Sequence, residues 1–474
     1  MKKFLAISIV FLLAIMFTVP AMAVEADFKG AYRVRGWSFK YNPMDPNNNT
    51  STNSYMRMRL RLDPTLKVTD DLSVTARIDM LDGVMYGDPS YSTGAGKATD
   101  GRINTSAPSS TNASTHTHSV TTNNLRVHRA YLTYKSPIGG IVAGRMKGGT
   151  WGTWFADGED DYDRLIYVVP VDQFTFAATY EKVGEGAMTY PNTKSNKDND
   201  KYYLSGTYKA DNIEAGALLA FYNYGMLPDL AGYLASGKAY GLTPYAIAKF
   251  GIFSVESEIS YYTGKATFNP TDLGQGTRKD KDIEVWGAYL QAGVDLSPVE
   301  IKAGYAYASG DANTGANGGD GEKFKSYCYL GTGQTFQPLF ILTGQDYDLY
   351  GSLGGLGNLA NPSAQNVTLG TSSNRTTSTD GYSLGYLNVN VKPIDNLTVG
   401  LVVGLSQADD VPKNWVSKSH GTEYDFVTNW KIVENLNYQF IGAYLQSGDY
   451  FKQTNNKAEI KNPYVFYNEL KLSF

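Results

Sequence analysis

Long apolar runs are almost missing from these 474 residues. One lies at the amino terminus, from Phe4 to Val19, and no comparable run follows it. Together with a mean hydropathy of -0.32, this excludes a bundle of membrane-spanning helices. Cysteine is nearly absent. The single Cys328 can make neither an internal disulfide nor a Cys-ligated zinc site. No Cys-x-x-Cys-His occurs, so the chain attaches no c-type haem of its own. Histidine is limited to His116, His118, His128 and His420. His116-Thr117-His118 sits in a polar loop and is not expected to hold a metal. No nucleophile–base spacing stands out, and neither an enzyme nor a cofactor is expected. Strong charge of one sign is missing too. The chain carries a net -4, and loss of Lys2 and Lys3 with a leader would make it -6. That balance argues against a nucleic-acid partner.

What is present is a leader and a strand-rich body. Lys2 and Lys3, the apolar run, and Ala21-Met22-Ala23 fit a signal peptide over 1–23, cleaved after Ala23. The remainder, 24–474, reads as one barrel domain. It is rich in Gly (49) and Tyr (36), residues of turns and of strands at a lipid–water boundary. Met56, Met58, Leu60 and Leu62 alternate with Tyr55, Arg57, Arg59 and Arg61, and a strand puts the two sets on opposite faces. Leu72, Val74, Ala76, Ile78 and Met80 repeat the pattern against Ser73, Thr75, Arg77 and Asp79. Tight polar turns such as Ser136-Pro137-Ile138-Gly139 and Pro393-Ile394-Asp395-Asn396 alternate with long loops. That is the rhythm of an outer-membrane barrel. Carried to the end it gives about 18 strands: an all-β, transmembrane antiparallel β-barrel with short periplasmic turns and long extracellular loops. The longest connection, about 310–380, is expected either to cap the barrel outside or to fold into the pore. The last segment alternates Tyr464, Phe466, Leu470 and Leu472, with Asn468 as the single polar exception on that face, against Val465, Tyr467, Glu469, Lys471 and Ser473, and ends on Phe474. A terminal aromatic of this kind resembles the signal read by the barrel assembly machinery, which is therefore an expected partner alongside outer-membrane lipid.

The lumen is where charge belongs, because Arg or Lys on the lipid face costs about 2–4 kcal/mol at the midplane. Ten of the 13 arginines precede Lys147. Arg33 and Arg35, then Arg57, Arg59 and Arg61, then Arg77 and Arg145, are expected to face inward as one basic wall. Glu256, Glu258, Glu423, Asp425 and Glu469 are expected inside as well. Two readings stay open. The wall guides anions, since guanidinium forks suit carboxylate or phosphate; or it is neutralised internally by acids such as Asp79 and Glu469. Aromatics near strand ends (Trp37, Phe39, Tyr41, Trp151, Trp154, Phe155, Tyr222, Tyr224, Tyr261, Tyr262) are expected to form an interfacial girdle. A sugar-stacking slide would need their rings in the lumen. Asp157, Glu159, Asp160, Asp161 and Asp163 lack EF-hand spacing and read as a solvated acidic loop.

Short motifs spread over the chain resemble the alginate-export family of outer-membrane channels and its porin-like relatives. They are Phe28-Lys29-Gly30-Ala31-Tyr32-Arg33-Val34-Arg35-Gly36, the strand Arg57 to Leu62, Gly144-Arg145, Trp151-Gly152, Tyr305-Ala306-Tyr307-Ala308-Ser309-Gly310-Asp311 and Gly421-Thr422-Glu423-Tyr424-Asp425. The resemblance implies a monomeric 18-stranded channel with an arginine-rich, anion-selective lumen. It carries over Arg33, Arg35, Arg57, Arg59, Arg61 and Arg145 as lumen cations. The expected function is passive passage of small hydrophilic or anionic solutes. The alternative is a sheath around a partner protein in the lumen, such as a multihaem cytochrome.

Overall fold

The computed structural model describes residues 24–40, 53–85, 125–155, 157–158, 161–185, 198–228, 234–268, 280–311, 323–327, 336–343 and 380–474. The leader, His116, His118, Cys328, Tyr41, Glu159, Asp160 and most of 310–380 lie outside these residues. In chain order the strands are β1 (Glu25–Lys40), β2 (Asn53–Lys67), β3 (Leu72–Met85), β4 (Leu125–Ser136), β5 (Gly139–Lys147), β6 (Asp161–Val171) and β7 (Phe174–Gly184). Then follow β8 (Asn199–Lys209), β9 (Ile213–Pro228), β10 (Leu234–Phe250), β11 (Phe253–Phe268), β12 (Lys281–Asp295), β13 (Val299–Ala308) and the two-residue β14 (Lys323–Phe324). The chain closes with β15 (Tyr382–Ile394), β16 (Leu397–Gln407), β17 (Ser419–Val433), β18 (Leu436–Ser447) and β19 (Tyr464–Ser473).

Setting β14 aside, 18 long strands pair antiparallel with their neighbours in sequence, and β1 also pairs with β19. The sheet is therefore a closed barrel without a free edge. The seam runs from Ala31↔Ser473 to Lys40↔Tyr464. It is completed by two reciprocal bonds: Gly30 N–H donates to the Phe474 carbonyl at 2.7 Å, and Phe474 N–H to Gly30 at 3.0 Å.

Alternation sorts the side chains. The outer face carries Phe28, Leu66, Val74, Leu204, Leu219, Ile259, Leu290, Leu401 and Leu405, all exposed and apolar. Toward the end bearing the long loops, Tyr180, Tyr202, Phe221 and Tyr240 form an outer row of rings with centroids 5.4, 6.0 and 5.1 Å apart. An apolar surface bordered by aromatics suits hydrocarbon meeting headgroups. The inner face is divided by height. Near the short turns it is polar, with Thr65, Thr75, Asn390, Asn429, Gln439 and Lys471. Near the long loops it is filled by a buried cluster that includes Trp37, Phe39, Tyr262, Val285, Tyr289, Leu384, Leu445 and Val465.

Phe474 lies over Gly30, where a Cβ would come 2.7 Å from its ring and 2.6 Å from the Arg61 carbonyl oxygen. Gly30→Leu is thus expected to force the seam apart and destabilise the barrel by about 1–3 kcal/mol. A guanidinium unfolding midpoint in detergent reads this, and an unchanged midpoint would refute the close packing.

Candidate functional site

At mid-height on β1 to β4 the antiparallel register sets arginine against arginine. Arg33 is directly opposite Arg59, Arg35 opposite Arg57, and Arg77 opposite Arg129. Like charges in such pairs repel, and acids on flanking strands offset the repulsion. Glu469 of β19 takes Arg35 Nε at 2.6 Å and lies 3.9 Å from Arg33. Both oxygens of Asp79 accept the Arg61 fork at 2.6 Å, and Arg59 is 3.8 Å away. Asp63 takes Arg77 at 2.6 Å, and Asp161 takes Arg129 at 2.5 Å. Arg57 is buried, with its guanidinium 5.1 Å from the centre of the Tyr55 ring. Two bulges aim this group. The β2–β3 register slips beside Leu81, whose φ is 59°, and the β3–β4 register slips beside His128. His128 consequently stands between Asp79 and Asp161, at 3.3 and 3.7 Å. Asp79, Asp82 and His128 are close enough to share a metal ion, but Arg61 already takes both oxygens of Asp79, so the cation at that point is a guanidinium. Arg126 also stands directly opposite Asp79, so among the described residues of this band eight arginines (33, 35, 57, 59, 61, 77, 126, 129) stand near five carboxylates (63, 79, 82, 161, 469), an excess of three positive charges.

Arg145 differs from expectation. It is directly opposite Ala130, which shares its face with the exposed Leu132 and Tyr134. Its side chain therefore points outward at the loop end of β5 and pairs with Asp163 at 3.3 Å. Lys182, with Asp198 at 2.5 Å and Asp200 at 3.4 Å, continues this charged strip across the outer face of the neighbouring strands.

The aromatic residues also differ. Trp37, Phe39, Phe155, Tyr222 and Tyr262 belong to the buried interior cluster, and Trp154 and Tyr224 pack against it. Tyr261 is outside, against Trp286 at 4.2 Å. The cause lies in the connections. The loop after β5 turns into the barrel and crosses it. Trp151 donates its indole N–H to the Thr243 carbonyl at 2.8 Å, and Trp154 donates to the Tyr289 hydroxyl at 2.7 Å. Thr153 gives its N–H and hydroxyl to Glu258 at 2.7 and 2.8 Å.

The two described pieces of the 310–380 connection are folded inward as well. Tyr327 stacks 5.8 Å from Phe155. Phe336 meets Trp154 and Phe155 at 5.1 and 5.3 Å. Glu423 accepts the N–H groups of Ile341 and Leu342 at 2.5 and 2.7 Å, and Asp425 accepts that of Phe340 at 3.0 Å. Leu339 fits over Gly404, where a Cβ would be 2.5 Å from its methyl. Glu423 and Asp425 thus face inward as backbone anchors of this plug. Each such bond contributes about 0.5–1.5 kcal/mol.

The fold also joins Ser406 to His420, Oγ to Nδ1 at 2.9 Å, a contact that no spacing in the sequence announces. Both are buried, so the pair holds the wall together and offers no solute a nucleophile.

No protein-family model matches the chain, and no curated protein matches it. Solved structures are similar in outline. OccK8 (OprE) of Pseudomonas aeruginosa superposes with a TM-score of 0.48 at 10% identity over 94% of this chain and 98% of its own. An anion-selective porin from Comamonas acidovorans gives 0.43 at 11% identity, over 95% and 100%. The outer-membrane channel DcaP of Acinetobacter baumannii gives 0.42 at 13% identity, over 95% and 97%.

Two outcomes follow from the in-folded segments. Glu423→Ala strands two buried N–H groups, at about 1–3 kcal/mol each, so the Phe336–Thr343 segment should undock more often. Single-channel records should show a higher mean conductance; an unchanged record would mean the segment does not limit flow. Asp157 accepts the Trp151 N–H at 2.6 Å, and burial raises its pKa to about 6. The in-folded loop therefore binds a proton more tightly than a solvated Asp. Its closed position is fully favoured below the ordinary value of 3.8 and weakens as pH rises toward 6. Conductance should be lower at acid pH than at neutral pH. Asp157→Asn should flatten most of that difference, and a pH response unaffected by the substitution counts against this origin.

Proposed function

We propose that this barrel sits in the bacterial outer membrane and lets small hydrophilic solutes, anions first, pass down their gradients. One observation carries the reading: arginines are stacked in direct opposition at mid-height inside a closed wall whose outer face is apolar. A wall built only for stability has no reason to set Arg33 against Arg59 and Arg35 against Arg57. Fixed guanidinium charge in excess draws anions and repels cations. On the far wall, Glu258, Glu423 and Asp425 accept hydrogen bonds from the in-folded segments.

The geometry also weighs the alternatives. A sheath around a threaded protein needs an empty bore, whereas Phe155, Phe336, Leu339 and Ile341 fill part of the loop-end half from the chain itself. The resemblance to alginate-export channels adds an anionic polysaccharide to the candidate cargo. A chain of that bulk would require both in-folded segments to move aside, which places small anions ahead of it. Leader cleavage after Ala23, the reading of Phe474 by assembly machinery, and selectivity set by Arg33, Arg35, Arg57, Arg59, Arg61 and Arg77 belong to the same proposal. Arg145, facing outward, is left out of it.

Purified protein in a planar bilayer under a potassium chloride gradient gives the test. The reversal potential should take the sign of anion preference. Replacing Arg57, Arg59 and Arg61 together with Ala should move it toward zero while the barrel still folds. Cation preference in the unaltered protein, or no conductance at all, would refute the proposal.

A further inference from the structure

This inference rests on the channel reading above and concerns one residue of the same wall. Three donors converge on a single oxygen of Glu469. Arg35 Nε is 2.6 Å from Oε2, the Tyr467 hydroxyl donates to it at 3.0 Å, and Arg33 Nη1 stands 3.9 Å away. The place Glu469 fills is where a carboxylate or phosphate held by two guanidiniums would sit.

Other acids of the interior are committed differently. The Asp79 side chain is fully enclosed and its two oxygens are both taken by one fork. Glu423 is fully buried and anchors a backbone turn. Glu469 keeps partial exposure, 16% of its side chain, and borders a cavity of about 370 Å³ at the short-turn end. Lys471, Lys431, Asn437 and Gln439 line the same cavity. Lys471 is directly opposite Arg33 in the seam. Cations therefore run from Arg35 and Arg33 on to Lys471, and Glu469 interrupts them where the arginine band meets the cavity. On its other side, Tyr467 touches Phe340 of the plug at 5.4 Å. The residue stands at the point where the band, the plug and the cavity meet.

We propose that Glu469 is a specificity-determining residue, a tethered carboxylate that occupies the anion position on Arg33 and Arg35 and competes there with the solute. A pore conducts only if its site binds well enough to admit an ion and weakly enough to release it. Two neighbouring guanidiniums alone would hold a carboxylate tightly. A tethered competitor at an effective concentration on the order of millimolar or above weakens that hold without removing the positive field. Tyr467 is the positioning residue, keeping the carboxylate turned toward Arg35.

The test uses the full-length protein in planar bilayers with potassium acetate as the permeant salt. Glu469→Gln removes the competing charge and keeps the side chain's size. Conductance should then saturate at an acetate concentration about tenfold lower, and the reversal potential should shift toward stronger anion preference. Tyr467→Phe leaves the charge and should shift both readings in the same direction by less. Glu469→Asp should return them toward the starting protein. Equal heat-modifiable migration on gels checks that each variant folds. If Glu469 only braces the wall, Glu469→Gln alters migration or stability while saturation and reversal potential stay put, and the proposal fails. If the unaltered protein conducts with anion preference and neither Glu469→Gln nor Tyr467→Phe changes saturation, Glu469 alone loses its role. An unaltered protein that prefers cations overturns the wall and this residue together.

Discussion

Closure of the backbone ladder is the constraint on which the rest of this structure depends. Hydrocarbon offers no partner to an N–H or C=O, and each one left open costs several kcal/mol. The ladder therefore has to return on itself, and here it does so through β1 and β19, ending on the reciprocal bonds of Gly30 and Phe474. Once the ring is shut, each strand's phase is tied to its neighbours' by register. Arginines on β1 and β2 cannot slide past one another; they stand opposed because Val34↔Met58 and Tyr32↔Leu60 are already fixed on the apolar face. Closure thus concentrates the positive charge in one place, and flanking strands supply the acids that make it tolerable.

Two sets of interior acids differ in what they bind. Glu469, Asp79, Asp63 and Asp161 meet guanidiniums across strands. Glu258, Glu423 and Asp425 meet backbone N–H groups of in-folded segments. The difference matters for the field in the lumen. An acid bound to a guanidinium subtracts from the arginine wall directly. An acid bound to peptide N–H groups sits among apolar side chains on the far wall and is held by local dipoles. The segments it anchors meet one another through Trp154, Phe155 and Phe336 around Tyr289.

Sequence alternation makes most of the wall legible because one face must be apolar along its whole length. Met56 to Leu62 and Leu72 to Met80 read without ambiguity, and both lie inside the observed β2 (Asn53–Lys67) and β3 (Leu72–Met85). Legibility fails where alternation fails. Ile141-Val142-Ala143-Gly144 is apolar or small on both faces, so the phase of Arg145 can be known only from its register with Ala130. The end of β9, Asn223 to Pro228, carries no alternation, so nothing in the sequence marks how far that strand runs. The bulges that bring His128 beside Asp79 leave no pattern in the sequence. The in-folded loop after β5 did leave a signal that an interfacial reading absorbed. Trp151, Trp154 and Phe155 put three large rings on a short connection, and rings in that number need somewhere dry. Glu258 and Glu423 were legible as lumen acids, but their partners are peptide groups some 80 to 105 residues away in sequence, and no spacing rule reaches that far.

A bare barrel of 18 strands is wide enough to hold an aqueous channel, and in a wide channel a charged wall is a weak filter. Salt at about 0.15 M screens a charge beyond about 8 Å, so an ion crossing the middle of an open bore would hardly sense the arginines on one side. The plug changes that geometry. Phe340 reaches Tyr467, two residues along β19 from Glu469, and Trp37 packs on the same tyrosine at 5.5 Å. The apolar filling therefore extends to the edge of the basic band and narrows the bore beside it. On the proposed channel reading, the basic wall and the in-folded segments act together. The segments would supply the narrowness that lets fixed charge be felt, and the wall the charge that makes narrowness selective.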